Sequence, residues 1–347
     1  MKTSSWRRSV IGAACVALAL SATAACSSGQ ETPPPASSEG GSEAASGPIE
    51  IAYLQKQGDQ QYFVDQANGA KAAAEELGGV TVTVANLGDD ANKAISEVEA
   101  AIARGVKGII IVVPDQAVGP QVISLAKEAG IPLIASDDII KDESGAEAPF
   151  VGFDGTAMGS SVGEKAAALY KEAGWTPDNT KILSVYKLDL SVCVQRVEGA
   201  LDSFTKAVGE GNVPEVVDVG TDASVTDSLD KTAATVTGHQ GVTNWIVWGC
   251  NDESETGAVT ALANAGYAPE NVIGVGLGAY LTCKDWAAGL DTGNKAALYI
   301  SGTDVGKAAV DVLVDNIRNG AELPPRTIAD THMVDASSYE AAGVACT

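Results

Sequence analysis

The same run of alternating elements occurs twice in this chain, and this duplication constrains the possible fold more than any other feature. Short apolar, β-branched segments alternate with amphipathic segments of helical period over residues 49–138, and again over residues 181–278. Each copy is predicted to run strand, helix, strand, helix, strand, helix, strand. This alternation is typical of parallel sheets covered by helices on both faces. We therefore predict an α/β fold of two doubly wound parallel-sheet lobes.

Short motifs recur at matching places in the two copies. The first helix of each copy contains a Gly-Ala pair, Gly69-Ala70 in one and Gly199-Ala200 in the other. The repeat is far too long for a solenoid, so each copy is predicted to form one lobe. After the second copy, a strand, a helix and a strand are predicted over residues 296–300, 305–319 and 327–334.

Residues 1–25 have the three parts of a secretory signal. Basic residues at the N-terminus precede an apolar run over residues 10–20 and a small-residue triplet over residues 23–25. Cys26 follows, and residues 26–47 are rich in Pro, Ser, Glu and Gly, which predicts a flexible tether. This arrangement resembles a bacterial lipoprotein signal, in which the cysteine becomes the acylated first residue. We therefore expect lipidation of Cys26 and a body anchored to the cell membrane on its extracytoplasmic side. The alternative is ordinary secretion with a free Cys26.

Charge and cysteine usage narrow the possible partners. The formal net charge of −23 repels nucleic acid and anionic lipid surfaces, and favours a neutral or cationic ligand. The second half of the chain contains four cysteines, and outside the membrane an even number suggests two disulfides in one of three pairings. The first and third strands of a doubly wound sheet are neighbours, which favours Cys193–Cys250 and Cys283–Cys346. With only two histidines and no Cys-x-x-Cys motif, we expect no metal site and no cofactor.

Ligands of parallel sheets bind beyond the carboxyl ends of the strands, so the loops that follow each strand hold the candidate binding residues. These loops combine aromatic rings, which pack on C–H surfaces, with amides and charges, which bind hydroxyl groups. A polyhydroxy compound is therefore the predicted ligand. Asn251 is the expected ligand contact at its strand end, with Asp252 as the helix cap. The candidate residues are Lys56, Gln60, Tyr62, Phe63, Asp137, Asp138, Lys187, Asn251 and Tyr280.

Templates of catalysis are missing from the sequence. The chain contains no Gly-x-Ser-x-Gly motif and no P-loop. Asp137 and Asp138 with a distant acid could imitate the carboxylate pair of a glycosidase, but this requires a separation that a sequence does not specify. We therefore predict a binding protein and not an enzyme.

Four segments at the predicted strand ends resemble the type 1 periplasmic binding proteins, the sugar-binding subunits of ABC importers. They are Ile51–Gln57, Lys107–Asp115, Ser136–Asp138 and Trp245–Asp252. Within this family the resemblance is greatest to the arabinose-binding proteins and their polyol-binding lipoprotein relatives. The resemblance implies two lobes joined by three hinge strands, with one small ligand in the cleft between them. It also implies a monomer that delivers its ligand to a membrane permease. The lobes would comprise residues 48–152 with 301–334, and residues 153–300 with 335–347.

The resemblance also indicates where the ligand would be held. It places Lys56, Gln60, Tyr62, Phe63, Asp138 and Asn251 on sugar-contacting positions. Three positions that carry polar groups in the family are Val194, Gly278 and Ile300 here. In the family the arginine at the position of Val194 can reach a ring oxygen, and a sugar alcohol has no ring oxygen to leave unpaired. We therefore predict a small or acyclic ligand, a tetritol- or pentitol-like sugar alcohol. The alternatives are a pentose or hexose ligand of the same importer class, and a receptor domain that senses sugars.

Overall fold

The structure, a computed structural model, describes residues 47–346. The predicted signal peptide, the lipidation site Cys26 and the tether up to residue 46 lie outside the described residues. Within residues 47–346, no helix is both long enough and apolar enough to cross a bilayer.

The first lobe is a parallel sheet of six strands between two layers of helices. Its strand order is β2-β1-β3-β4-β5-β11, and every neighbouring pair is parallel. Its elements are β1 (Ile49–Gln55), α1 (Gln61–Leu77), β2 (Val80–Asn86), α2 (Ala91–Arg104), β3 (Gly108–Ile111), α3 (Gly119–Glu128), β4 (Leu133–Ser136), β5 (Phe150–Gly152), α9 (Gly302–Asn319) and β11 (Arg326–Ile328).

The second lobe repeats this arrangement. Its strand order is β7-β6-β8-β9-β10-β12, in which only β12 is antiparallel to its neighbour β10. The equivalent strand orders confirm the duplication and the predicted pair of α/β lobes. Its elements are α4 (Gly155–Glu172), β6 (Thr180–Tyr186), α5 (Ser191–Val208), β7 (Glu215–Gly220), α6 (Val225–Gly238), β8 (Asn244–Gly249), α7 (Asp252–Asn264), β9 (Val272–Gly278), α8 (Thr282–Ala287), β10 (Asn294–Ile300) and β12 (Thr331–Val334).

Three short segments connect the two sheets. They link β5 to α4, β10 to α9, and β11 to β12. One boundary differs from the sequence prediction, which placed a single strand over residues 327–334 in the first lobe. The chain changes sheets at Ala329-Asp330, so residues 331–334 pair with β10 in the second lobe. A strand pattern reports an extended backbone but not its partner, which is why this change could not be predicted.

Close helix pairs cover the sheets, and glycine allows their backbones to approach. In the first lobe α1 packs on α9, and in the second lobe α4 packs on α5. A methyl group at Gly306 would overlap the carbonyl of Gln66, and one at Gly163 would overlap the carbonyl of Ala200. The Gly-Ala pairs that recur in the sequence lie at these two crossings. The helices in turn hold the strand ends in place.

Both predicted disulfides are present. Cys193 at the start of α5 is joined to Cys250 after β8, with their Cα atoms 4.8 Å apart. Cys283 in α8 is joined to Cys346, with a Cα separation of 5.6 Å, and this bond attaches the C-terminal segment to the second lobe.

The glycine crossing provides a direct test of this packing. We expect Gly163→Ala to lower the free energy of unfolding by about 1–3 kcal/mol, because the added methyl must displace the α5 backbone. Urea unfolding followed by circular dichroism measures the change. Gly238→Ala in α6 is the matched control, since nothing lies within 4 Å of its added methyl. That control should change stability by less than about 1 kcal/mol. Equal losses in both variants would contradict the role of close approach.

Candidate functional site

A pocket lies between the lobes at the carboxyl ends of their strands. All nine candidate residues from the sequence line it, so strands that are far apart in the chain bring them together. The pocket is lined by Lys56, Gln57, Gln60, Tyr62, Phe63, Asp89, Asp137, Asp138, Lys187, Leu190, Val192, Cys193, Arg196, Asp222, Ala223, Cys250, Asn251, Leu277, Tyr280 and Ile300.

A buried ion pair occupies the first-lobe wall. Lys56 follows β1 and Asp138 follows β4, and the lysine Nζ lies 3.0 Å from the aspartate Oδ2. Their side chains are 8% and 3% exposed. Removing two charges from water is costly unless they are paired, so each side chain holds the other in place. The pair offers a charged donor and a charged acceptor at one point of the pocket, a combination that suits a hydroxyl group.

The carboxylate of Asp137 is already hydrogen-bonded to side chains of its own lobe. Its backbone has a φ of 58°, a left-handed conformation that aspartate tolerates better than most residues. The Tyr62 hydroxyl donates to Oδ1 at 2.8 Å, and the Gln66 amide donates to Oδ2. Gln66 in turn accepts a hydrogen bond from the Tyr53 hydroxyl at 3.0 Å. Asp137 therefore orients Tyr62 at the pocket, and its oxygen atoms already have donors.

The buried position of Asp137 changes the pKa of its carboxyl group. Burial raises the pKa of its carboxyl to about 6, and the neighbouring Asp138 charge adds to the increase. The hydrogen bond from Tyr62 and the positive charge of Arg196 act in the opposite direction. Arg196 belongs to the second lobe, so its charge acts on Asp137 across the cleft.

The prediction that Asp252 caps the helix after β8 is wrong. Asn251, and not Asp252, is the N-cap of α7, because its backbone is extended whereas Asp252 is already helical. The Asn251 oxygen accepts from the Ser254 amide at 3.0 Å and from the Ser254 hydroxyl at 2.5 Å. Its amide nitrogen donates to the Ala223 carbonyl at 2.9 Å. Asn251 lines the pocket, but only one of its amide hydrogens is left for a ligand.

Asp252 supports the opposite wall of the pocket. Its carboxylate accepts hydrogen bonds from the backbone of Leu281 at 2.6 Å and from the Thr282 hydroxyl at 2.5 Å. These bonds fix the loop after β9, which presents Tyr280. The Tyr280 hydroxyl donates to Glu253 at 2.9 Å. Burial raises the pKa of Glu253 to about 7, and the nearby Asp252 adds to the increase.

The sequence prediction omitted Arg196, which lines the pocket from α5. Its Nη1 donates to the Cys250 carbonyl at 2.7 Å, and Cys250 is disulfide-bonded to Cys193 one turn before Arg196. The arginine Nε is buried and has no hydrogen-bond partner within the described part of the chain. The signal that could have found it is helical spacing, since a cysteine at a strand end and a residue three positions later share a helix face.

Two of the three positions used to predict the ligand do not open onto the pocket. Val194 is absent from the lining, because Val192 and Arg196 lie on the cleft face and a residue midway between them points away. Gly278 has a φ of 146°, and a side chain there would meet Tyr280. Its lack of a side chain therefore reflects packing. Ile300 does line the pocket, as an apolar residue.

The chain belongs to the periplasmic binding protein domain family, whose model matches residues 51–322. It is 25% identical over 307 residues to the L-arabinose-binding periplasmic protein of an ABC transporter from Azospirillum brasilense, covering 87% of this chain and 90% of the relative. It is 22% identical over 298 residues to the L-arabinose-binding periplasmic protein of Escherichia coli K12, covering 84% and 89%.

Solved structures confirm the fold. A solute-binding protein of an ABC transporter from Actinobacillus succinogenes 130z, with bound D-allose, superposes with a TM-score of 0.73 at 22% identity, covering 84% of this chain and 99% of that one. A solute-binding protein from Mycobacterium smegmatis, with bound glycerol, gives 0.71 at 23% identity, covering 85% and 96%. The fold is that of a type 1 periplasmic binding protein, and the relatives are transport proteins and not enzymes.

The buried Glu253 predicts a pH dependence of stability. Its pKa is about 7 in the folded protein and 4.5 for an ordinary glutamate, so the folded state binds this proton more tightly. The free energy of unfolding therefore falls as the pH rises between these values. We expect Glu253→Gln to raise the Tm by a few degrees at pH 8 and to change it little at pH 4.5. Calorimetry at both pH values measures this. An equal Tm shift at both would show that the charge is not responsible.

Proposed function

We propose that this chain is the substrate-binding subunit of a carbohydrate ABC importer, which captures a small neutral polyhydroxy compound and delivers it as a monomer to a membrane permease. The observation that carries the proposal is the interlobe pocket, where the buried Lys56–Asp138 pair faces Arg196 of the other lobe. Charged donors and acceptors from both lobes can bind the hydroxyl groups of one ligand only when the lobes approach each other.

The charges in the pocket favour a neutral ligand. Its acids are interspersed with bases from both lobes, so neither sign dominates the lining. Lys56 is neutralised by Asp138, and the charge of Arg196 lies close enough to Asp137 to lower its pKa. A charged ligand would leave one of these groups without its partner in a buried site, which is unfavourable. The charged lining residues are Lys56, Asp89, Asp137, Asp138, Lys187, Arg196 and Asp222.

A tetritol- or pentitol-like sugar alcohol is the ligand that we favour. The Tyr62 hydroxyl already donates to Asp137 and accepts from Gln66, and the Asn251 oxygen already accepts two hydrogen bonds. These atoms are therefore not available to accept further hydroxyl groups. The apolar lining residues, which include Ile300, provide no partner for further hydroxyls. A sugar alcohol has no ring oxygen that needs a donor, and a tetritol has the fewest polar atoms to leave unpaired.

A pentose or hexose is the alternative, because the two relatives bind L-arabinose and a protein of similar fold holds D-allose. A thermal-shift screen with erythritol, ribitol, L-arabinose and D-allose separates the possibilities. A ligand at 100 times its dissociation constant stabilises the folded state by about 2.7 kcal/mol. Stabilisation by the aldoses alone would exclude the sugar alcohol, and stabilisation by none of the four would count against the whole ligand class.

Asp138 is expected to bind the ligand directly. Asp138→Asn should weaken binding of whichever compound is found in the screen by about 1.5–3 kcal/mol, because it replaces a charged acceptor with a neutral one. Isothermal calorimetry measures the change. The matched control is Asp89→Asn, since Asp89 also lines the pocket but is exposed. This control should cost less than about 1 kcal/mol. Equal effects of the two substitutions would remove Asp138 from the proposed site.

We also propose that lipid on Cys26 anchors the protein to the membrane, on the basis of the signal and tether sequences. Wild-type protein expressed in a bacterial host should partition into the detergent phase of a Triton X-114 extraction, and Cys26→Ser protein into the aqueous phase. The mass of the mature N-terminal peptide distinguishes a lipid from an uncleaved signal. An unmodified N-terminal Cys26 in the wild type would refute the anchor and leave importer function intact.

A further inference from the structure

Helix α5 begins without a cap from its own segment. Its N-cap residue is Leu190, whose side chain has no atom that can accept a hydrogen bond, and its first turn contains no acidic residue. The first amide groups of a helix have no partner within the helix and are usually satisfied by a nearby polar side chain. The partner of this helix start must therefore come from elsewhere.

A glutamine of the opposite lobe provides a hydrogen-bond acceptor for the start of α5. Gln116 lies in the short turn after β3 of the first lobe, and its Oε1 accepts a hydrogen bond from the Ser191 hydroxyl at 2.7 Å. A longer bond, 3.4 Å, reaches the same oxygen from the Ser191 backbone amide. The Gln116 nitrogen donates to the Ile139 carbonyl at 2.7 Å. The bond to Ile139 orients the amide so that its oxygen points at the start of α5.

These bonds span the cleft. Within residues 47–346, and outside the three connecting segments, the hydrogen bonds that join the two lobes are those between Gln116 and Ser191. An interaction that exists only when the lobes are close stabilises the closed conformation and leaves the open one unchanged. It therefore shifts the equilibrium between the two, whatever the ligand is.

The same bonds join the two loops that form the ligand pocket. Ile139 directly follows Asp138, and Ser191 begins the helical turn that carries Cys193 and Arg196 into the pocket. Neither Gln116 nor Ser191 lines that pocket, and both line a second interlobe cavity beside it. Their contribution is thus positional, through the residues next to them.

We infer that Gln116 is a positioning residue that caps helix α5 from the opposite lobe and holds the cleft closed over its ligand. The cap forms only on closure, so it slows ligand release without contacting the ligand. The inference rests on the proposed capture of a ligand between the lobes, but lobe closure itself can be measured without any ligand.

The first test uses the ligand-free protein. Gln116→Leu removes all three hydrogen bonds of the Gln116 side chain at similar volume, and Ser191→Ala removes the hydroxyl donor. Gln195→Ala is the matched control, because Gln195 lies one turn along α5 and lines the same second cavity, but is exposed. We expect faster hydrogen exchange of the first amides of α5 in Gln116→Leu, and a larger radius of gyration in X-ray scattering. Exchange and scattering equal to wild type would overturn the inference, whether or not any sugar binds.

The second test measures ligand release by stopped flow, with ribitol and L-arabinose as probes. In Gln116→Leu the dissociation rate should rise about three- to tenfold while the association rate stays the same. In the Ser191→Ala background Gln116→Leu should have a much smaller effect, since the bond is already lost. Additive effects, or an equal increase in Gln195→Ala, would overturn the inference. If neither probe binds, the ligand-free measurements still decide the role of Gln116, and the four-compound screen decides the ligand class.

Discussion

The direction of the strands determines where everything else in this protein can lie. Each sheet runs parallel through its first five strands in sequence, so the loops at their carboxyl ends project from one edge. The chain passes three times between the sheets, and the pocket draws its lining from these edges of both lobes. The helix pairs maintain this geometry, because Gly163 and Gly306 let the covering helices pack at backbone distance.

Within the pocket, polar groups divide into those that hold the site together and those left for a ligand. Asp137 and Glu253 each accept a hydrogen bond from a tyrosine that lines the pocket, and burial raises the pKa of both carboxyls. The two tyrosines are thus positioned by acids of their own lobes. The Lys56–Asp138 pair and Arg196 retain capacity to bind hydroxyl groups. This division, more than the number of polar residues, limits how many hydroxyls a ligand can place in the site.

Two helix starts at the cleft are capped in different ways. Asn251 caps α7 within its own lobe, so that cap is independent of lobe closure. The start of α5 instead receives Gln116 from the other lobe, 75 residues away in the chain. The inferred cap from Gln116 would therefore favour closure of the cleft, whereas the Asn251 cap would not change with it.

The sequence by itself determined the α/β class, the duplication and the nine pocket residues, and it favoured the two disulfide pairings that the structure has. These follow from periodicity and from the position of residues at strand ends, which are properties of short segments. Only the tertiary structure decided that β11 and β12 belong to different sheets, that Val194 faces away from the pocket, and that Asn251 is the cap where Asp252 was expected. It also decided that Gln116 reaches α5. Hydrogen-bond partners and side-chain direction depend on which distant segments meet, and no local pattern records that.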